Sequence, residues 1–383
     1  MEDIVCISHL RWNFVWQRPQ HLLSRFAHHN RVVIVEEPVA DIEAIEPYLE
    51  ILKAEKTTNV TIVRLVYPSA QPRWIGHGDP ATQRMYSELL NNYLNKNGYE
   101  RPILWMYTPM GLEFADTIEH DLLVYDVMDQ LAAFKGAPAD LQEREKTLLR
   151  SADIVFTGGM SLYRDKQSYN SQTHLFPSGV ETEHFAAAGP GHNFEKPTDL
   201  QNISSPILGY YGVIDERMDL ELLAAISQAH PDWQLVMLGP VVKIDPTDLP
   251  QAPNIHYLGL KNYEQLPGYL AFFDVALIPF AINESTRFLS PTKTLEYMAA
   301  HKPIVSTPIS DVIELYGEVV RVGHSHHEFM GQVQDSLHEF SQARREKEKE
   351  LLATYSWDSI TTRMLQLIAE STRSLTLVES STN

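Results

Sequence analysis

One cysteine, Cys6, stands among 383 residues. That excludes an intrachain disulfide and a cysteine metal cage. Cys6 falls in the apolar run 3–7, which reads as a buried strand. Basic residues are few, 31 against 50 acidic, for a formal net charge of −19. Proteins that grip nucleic acid carry the opposite balance, because phosphate contacts need lysine and arginine. A nucleic-acid partner is therefore not expected, although a local basic site for a small phosphorylated ligand remains open. No apolar stretch approaches the roughly 20 residues of a membrane-spanning helix. Met1-Glu2-Asp3 lacks the basic start of a secretory signal, so the expectation is a cytoplasmic protein without a transmembrane segment. No Gly-x-Gly-x-x-Gly follows a strand candidate and no Gly-x-x-x-x-Gly-Lys-Ser/Thr loop occurs, which lowers dehydrogenase and kinase readings. His-Glu-x-x-His is also absent. His324, His326 and His327 cluster at a helix start, where solvation is the simpler reading.

What the chain does have is alternation. Apolar runs at 3–7, 31–35, 60–66, 103–107, 122–126, 153–156 and 173–176 read as strands, with helical patterns at 19–28, 81–95, 141–150 and 161–169. A second series follows, with strands at 206–210, 234–238, 255–258, 274–278, 303–306 and 319–322. Its helices fall at 220–230, 263–272, 292–301 and 328–352. Such alternation implies parallel sheets covered by helices. The predicted fold class is α/β: two tandem Rossmann-like, doubly wound domains facing a cleft. Residues 1–185 form the first domain, 186–205 a linker and 206–355 the second domain. A helix over 356–372 ends the chain, followed by a flexible tail, 373–383. Ligands of such sheets bind outside the carboxyl ends of the strands.

The most informative stretch follows the strand at 274–278. Ser290 suits an N-cap and Pro291 the first helical position, which predicts Lys293 at the third position of a helix over 292–301. Acidic residues are favoured there, because the helix start already carries partial positive charge. A lysine fits if an anion sits beside it. Glu296, one turn on, could accept hydrogen bonds from ribose hydroxyls. A Lys293–Glu296 surface ion pair has the same spacing.

Ser290-Pro-Thr-Lys-Thr-Leu-Glu-Tyr-Met-Ala-Ala-His-Lys-Pro-Ile-Val resembles the donor-site segment of family-four type glycosyltransferases (glycosyl transferases group 1), which have the GT-B fold. Phe176-Pro-Ser-Gly-Val-Glu-Thr-Glu-His-Phe, Leu208-Gly-Tyr-Tyr-Gly-Val-Ile, Val236-Met-Leu-Gly-Pro and Ile255-His-Tyr-Leu-Gly match further family segments in order. The resemblance implies that Glu296 binds donor ribose. It also implies that Lys293, the Ser290–Pro291–Thr292 turn and Arg217 face the diphosphate, beside Gly212. His256 would lie near the base, and the C-terminal helix would cross back to the first domain. In this family the helix dipole and basic residues can neutralise the leaving diphosphate, so neither metal nor cofactor is expected. One departure stands out. The family's first motif glutamate, which contacts the transferred sugar, is replaced by Phe288. Arg217 could instead pair with Asp215, Glu216 or Asp219, and Arg287 is a third basic residue near the loop.

Ser8-His-Leu-Arg-Trp-Asn-Phe-Val-Trp-Gln-Arg-Pro-Gln-His follows the first strand and resembles a bacterial polysaccharide, teichuronic-acid-type subgroup. Aromatic faces stack on sugars and arginine recognises phosphate or carboxylate, so Arg11, Trp12, Trp16 and Arg18 are the acceptor-binding candidates. An aromatic cluster packing the loop onto the domain is the alternative. Asp126 and Asp129 end the strand at 122–126 and are the catalytic candidates, since an inverting enzyme needs a carboxylate base. Capping by Asp129 and a buried Asp126 is the alternative. Retention follows from the Glu296 segment and inversion from these acids. The expected activity is transfer from a UDP- or GDP-type nucleotide sugar to a glycan or lipid-linked acceptor in envelope polysaccharide synthesis. Contact with the inner face of the membrane would be peripheral. A nucleotide-sugar 2-epimerase and a non-catalytic sugar-binding homologue are the rivals.

Overall fold

The computed structural model describes residues 2–14, 16–55, 57–69, 77, 79–134, 136–191, 193–338 and 342–382. Contacts divide the chain into two compact units. The first comprises Met1–Gly158, Leu162–Phe176 and Ile360–Asn383, and the second Gly159–Ser161 and Pro177–Ser359.

The first unit holds β1 (Ile4–Ile7), β2 (Val32–Asp41), β3 (Tyr48–Lys53), β4 (Val60–Pro68), β5 (Ile103–Met106), β6 (Leu122–Val127), β7 (Ile154–Thr157) and β8 (Thr173–Leu175). They form one sheet in the order β3-β4-β2-β1-β5-β6-β7-β8, parallel except for the β3–β4 pair. Central strands such as Ile-Val-Cys-Ile and Ile-Leu-Trp-Met are buried along their whole length, as strands covered on both faces must be. The helices are α1 (Arg18–Phe26), α2 (Pro80–Lys96), α3 (Leu112–Thr117), α4 (Leu141–Ser151) and α5 (Met160–Lys166). Helix α1 starts where Gln17 and Gln20 cap each other's backbone, with Pro19 in its first turn, and it buries Leu22, Leu23 and Phe26.

The second unit holds α6 (Thr182–Ala186), β9 (Ile207–Tyr211), α7 (Leu220–Ala229), β10 (Gln234–Leu238), β11 (Ile255–Gly259), α8 (Leu266–Leu270), β12 (Val275–Ile278), α9 (Lys293–Ala299), β13 (Ile304–Ser306), α10 (Ser310–Tyr316), β14 (Arg321–Val322), α11 (His326–His338) and α12 (Gln342–Thr354). Its six strands are ordered β11-β10-β9-β12-β13-β14, all parallel. Strand order reverses between β1 and β5 in the first sheet and between β9 and β12 in the second. Those switch points are where doubly wound sheets bind ligands.

α13 (Trp357–Thr382) belongs to the first unit from Ile360 onward, so the return of the last helix is as expected. It buries Ile360, Met364 and Ile368 on one face, and Arg363 lies 4.9 Å over the Phe176 ring. Other expectations need correction. The helix continues through the stretch expected as a flexible tail as far as Thr382; residue 383 lies outside the described residues. The unit boundary falls at Phe176/Pro177. The expected linker buries Ala188, Leu200 and Ile203 in the second core, because apolar residues spaced along an irregular segment can still pack. The pattern at 328–352 forms two helices, α11 and α12, and that at 263–272 keeps only α8 as α-helix, behind the 3-10 turn Tyr263–Gln265. Helix α9 begins at Lys293 with Thr292 as N-cap, two residues later than Ser290 and Pro291 suggest.

Candidate functional site

In the second unit the chemistry gathers at the β9/β12 switch point. Gly212, just past β9, has φ +136. A Cβ there would lie 2.9 Å from Tyr210 Oη, 3.0 Å from Lys293 Cε and 3.4 Å from Nζ. Only glycine allows both this backbone and this approach of the lysine. Gly239, past β10, has φ +138, and a Cβ on it would overlap the Gly212 carbonyl oxygen. Two glycines thus form a close-packed floor beneath Lys293. The Lys293 ammonium sits 5.4 Å from the Tyr210 ring centre and 5.2 Å from that of Phe280, a cation–π setting. Burial pulls its pKa down to about 8, helped by Arg217 and opposed by Glu296 and Asp215. Burial raises the Glu296 carboxyl above its ordinary value; Tyr211 and Lys293 act against that, and Glu181 adds to it.

Lys293, Glu296 and Gly212 are therefore brought together. Arg217 stands nearby, with Nε 3.0 Å from Asp215 Oδ1 and Nη2 2.7 Å from Oδ2. Asp215 is buried and Arg217 partly exposed, so the local ion pair is real. Ser290 and Pro291 precede α9, and Thr292 caps it without a side-chain hydrogen bond. His256 is the second residue of β11, bonded through Nε2 to Gln234 Oε1 at 2.9 Å, level with Val236 and Gly209 and so short of the strand ends where Gly212 lies. Phe288 is half-buried beneath Arg287, whose guanidinium carbon is 5.2 Å from the ring centre.

In the first unit Arg18 and Asp126 are both buried and bound to each other. Arg18 Nε donates to both Asp126 oxygens at 3.0 Å, Nη2 donates to Oδ1 at 2.8 Å, and Nη1 donates to the Phe176 carbonyl at 2.7 Å. A carboxylate with both oxygens engaged and no solvent access cannot take a proton from a substrate hydroxyl. This corrects Asp126 as a catalytic base and Arg18 as an acceptor ligand. Trp12 is likewise buried, its backbone N–H on Glu36 Oε1 at 2.8 Å. Trp16 packs edge-on against it and donates Nε1–H to His21 Nδ1 at 3.2 Å. Arg11 is tied to Glu36 and the Glu37 carbonyl. The aromatic cluster therefore packs the loop, and the ring it exposes is Phe14, at 83%.

Asp129 lies two residues beyond β6 and is partly exposed. Its neighbour Gln130 donates to Glu145 at 3.2 Å and accepts from Lys166 at 2.6 Å, and Lys166 is itself on Glu145 at 2.8 Å. That buried network fixes the loop carrying Asp129.

His9 and His77 escaped the sequence reading. His9 follows β1 at the switch point and hydrogen-bonds to the Tyr107 backbone, just past β5; burial lowers its pKa to about 4 against that bond. His77 Nε2 lies 2.8 Å from the Ser8 carbonyl oxygen, and burial lowers its pKa to about 4. The Nδ1 atoms of both rings and Trp12 Nε1 are buried without a hydrogen-bond partner among the described residues. His9 stands directly after a strand end and was visible; His77 sits between sequence neighbours that carry no pattern. Among the described residues no group of three His, Cys, Asp or Glu could hold a metal ion, and no helix is long and apolar enough to cross a membrane.

Residues 205–344 match the family described as glycosyl transferases group 1. TuaH of Bacillus subtilis (strain 168), named a teichuronic acid biosynthesis glycosyltransferase, is 25% identical over 227 residues. That match covers 54% of this chain and 56% of TuaH, so the chain spans little more than half the length of this relative. Among solved structures, a sucrose-phosphate synthase from Thermosynechococcus elongatus superposes with a TM-score of 0.70 at 17% identity, covering 97% of this chain and 99% of its own. A UDP-forming α,α-trehalose-phosphate synthase from Burkholderia xenovorans gives 0.69 at 13% identity, covering 98% and 100%.

Proposed function

We propose that this chain, whose residues 205–344 match the glycosyl transferases group 1 family and which has the GT-B fold, transfers a sugar from a nucleotide-diphosphate donor to a glycan or glycolipid hydroxyl in envelope polysaccharide synthesis. The observation that carries this reading is the Gly212–Lys293–Glu296 cluster at the β9/β12 switch point. The glycine floor lets a diphosphate approach the backbone. Lys293 supplies positive charge where the leaving group gathers negative charge. Glu296 accepts hydrogen bonds from the ribose hydroxyls, and Arg217 adds positive charge nearby. No protein metal site is invoked.

On the first unit, the partly exposed His9 and Arg11, just past β1, are the acceptor-side candidates, with Trp16 beside them. Asp129 is the remaining catalytic acid should the reaction invert. The TuaH match supports an envelope polysaccharide, and the UDP-forming neighbour supports UDP as the nucleotide.

Calorimetry with UDP in metal-free buffer tests the donor half. Wild-type protein should bind, and Lys293→Ala and Glu296→Ala should each weaken binding about ten- to hundredfold, the value of a charge-assisted hydrogen bond. Equal affinity of all three proteins would reject this site.

A further inference from the structure

Helix α6, the carboxyl end of α9 and helix α12 enclose a groove of about 620 Å³ on the second unit, within the usual size of a small-molecule pocket. Buried Ala299 and Leu352 give it an apolar floor, with exposed Ala186 at its edge, and His301, Arg345 and Lys349 also line it. Glu346 is the one carboxylate among the lining residues, so cations exceed acids there in a chain whose net charge is −19.

His301 follows the α9 C-cap with φ +55, a position that favours glycine. Its Nδ1 lies 2.9 Å from Glu348 Oε2, and the other Glu348 oxygen lies 2.9 Å from Arg344 Nε. The imidazole is thereby fixed, with Nε2 as its other polar atom. Thr182 Oγ1, also on the lining, is buried without a hydrogen-bond partner among the described residues.

We propose that this groove binds a single-chain alkyl phosphate, with the chain along the apolar floor and the headgroup against Arg345, Lys349 and His301. Charge complementarity selects the anion, and the floor selects the chain. The site is separate from the donor cluster, although α9 carries both: Glu296 belongs to one and Ala299 to the other.

The test is calorimetry of the full chain with monomeric dodecyl phosphate, with inorganic phosphate and the neutral dodecyl maltoside as controls. One molecule should bind per chain, at least tenfold tighter than either control. Lys349→Glu, on an exposed helix face, should weaken binding at least tenfold, and Ala353→Trp should do the same by filling the groove. Lys293→Ala should bind as wild type, which separates this site from a phosphate held in the donor cluster. The absence of saturable binding, equal binding of the neutral detergent, or wild-type affinity in Lys349→Glu would overturn the proposal. Lys349→Glu alone decides should Ala353→Trp not fold.

Discussion

At the residue scale, Lys293 is the most informative side chain, because its environment opposes its charge. A pKa of about 8 lies well below the ordinary lysine value of about 10.4. With the folded pKa lowered, the unliganded protein carries a cost for the ammonium below pH 8. That cost fades as pH rises from about 8 toward the unfolded value. Donor binding runs the other way, since a diphosphate needs the ammonium. UDP affinity should be flat near pH 7 and fall above pH 8, by up to about tenfold per unit. Titrating Kd between pH 6.5 and 9.5 measures this. The same fall in Lys293→Ala would remove lysine as its cause. Beneath it, Gly212→Ala and Gly239→Ala should each cost about 1–3 kcal/mol in urea unfolding through backbone strain. Gly239→Ala should be the worse, because its methyl meets the Gly212 carbonyl rather than a flexible lysine tip.

At the element scale, two acids three residues apart separate cleanly. Asp126 lies inside β6, and its oxygens belong to Arg18. Asp129 lies past the strand end, where the chain leaves the sheet. Removing one partner of a buried pair leaves an uncompensated charge and costs about 3–5 kcal/mol. Arg18→Met should therefore unfold at much lower urea, and Arg18→Met with Asp126→Leu should recover part of the loss. Asp129→Asn should leave the urea midpoint in place. If Asp129 acts as the base, it should lower the transfer rate about 10²- to 10⁴-fold. Wild-type turnover in Asp129→Asn would exclude that role.

The same scale shows what could be read in advance. Runs such as Ile-Val-Cys-Ile announced themselves because a strand buried on both faces leaves no room for polar residues. Edge strand β3, Tyr-Leu-Glu-Ile-Leu-Lys, did not, since an edge tolerates a mixed, partly exposed pattern. The Ser290-Pro-Thr-Lys segment pointed to the place where Lys293 meets Gly212, yet local capping preferences set the helix start two residues too early. A strand position does not say which buried partner receives the side chain, and for Asp126 that partner is Arg18.

At the scale of the whole molecule, the last helix completes a unit begun more than three hundred residues earlier. Nothing in the composition of α13 marks that long-range role; only its burial does. Met364 and Ile360 are fully buried, and Ile368 nearly so, along a face spaced four residues apart. Each such side chain is worth about 2–5 kcal/mol when cut to alanine, so the helix is a substantial part of the first core. Met364→Ala should lower the first unit's resistance to unfolding and leave the second unit's untouched. Hydrogen exchange followed by peptide mapping distinguishes these. Amides of β1, β5 and β6 should lose protection, and those of β9, β10 and β12 should keep theirs, with UDP affinity unchanged. Loss of protection spread equally over both sheets would show instead that the two cores unfold as one cooperative block, and that α13 stabilises the chain as a whole.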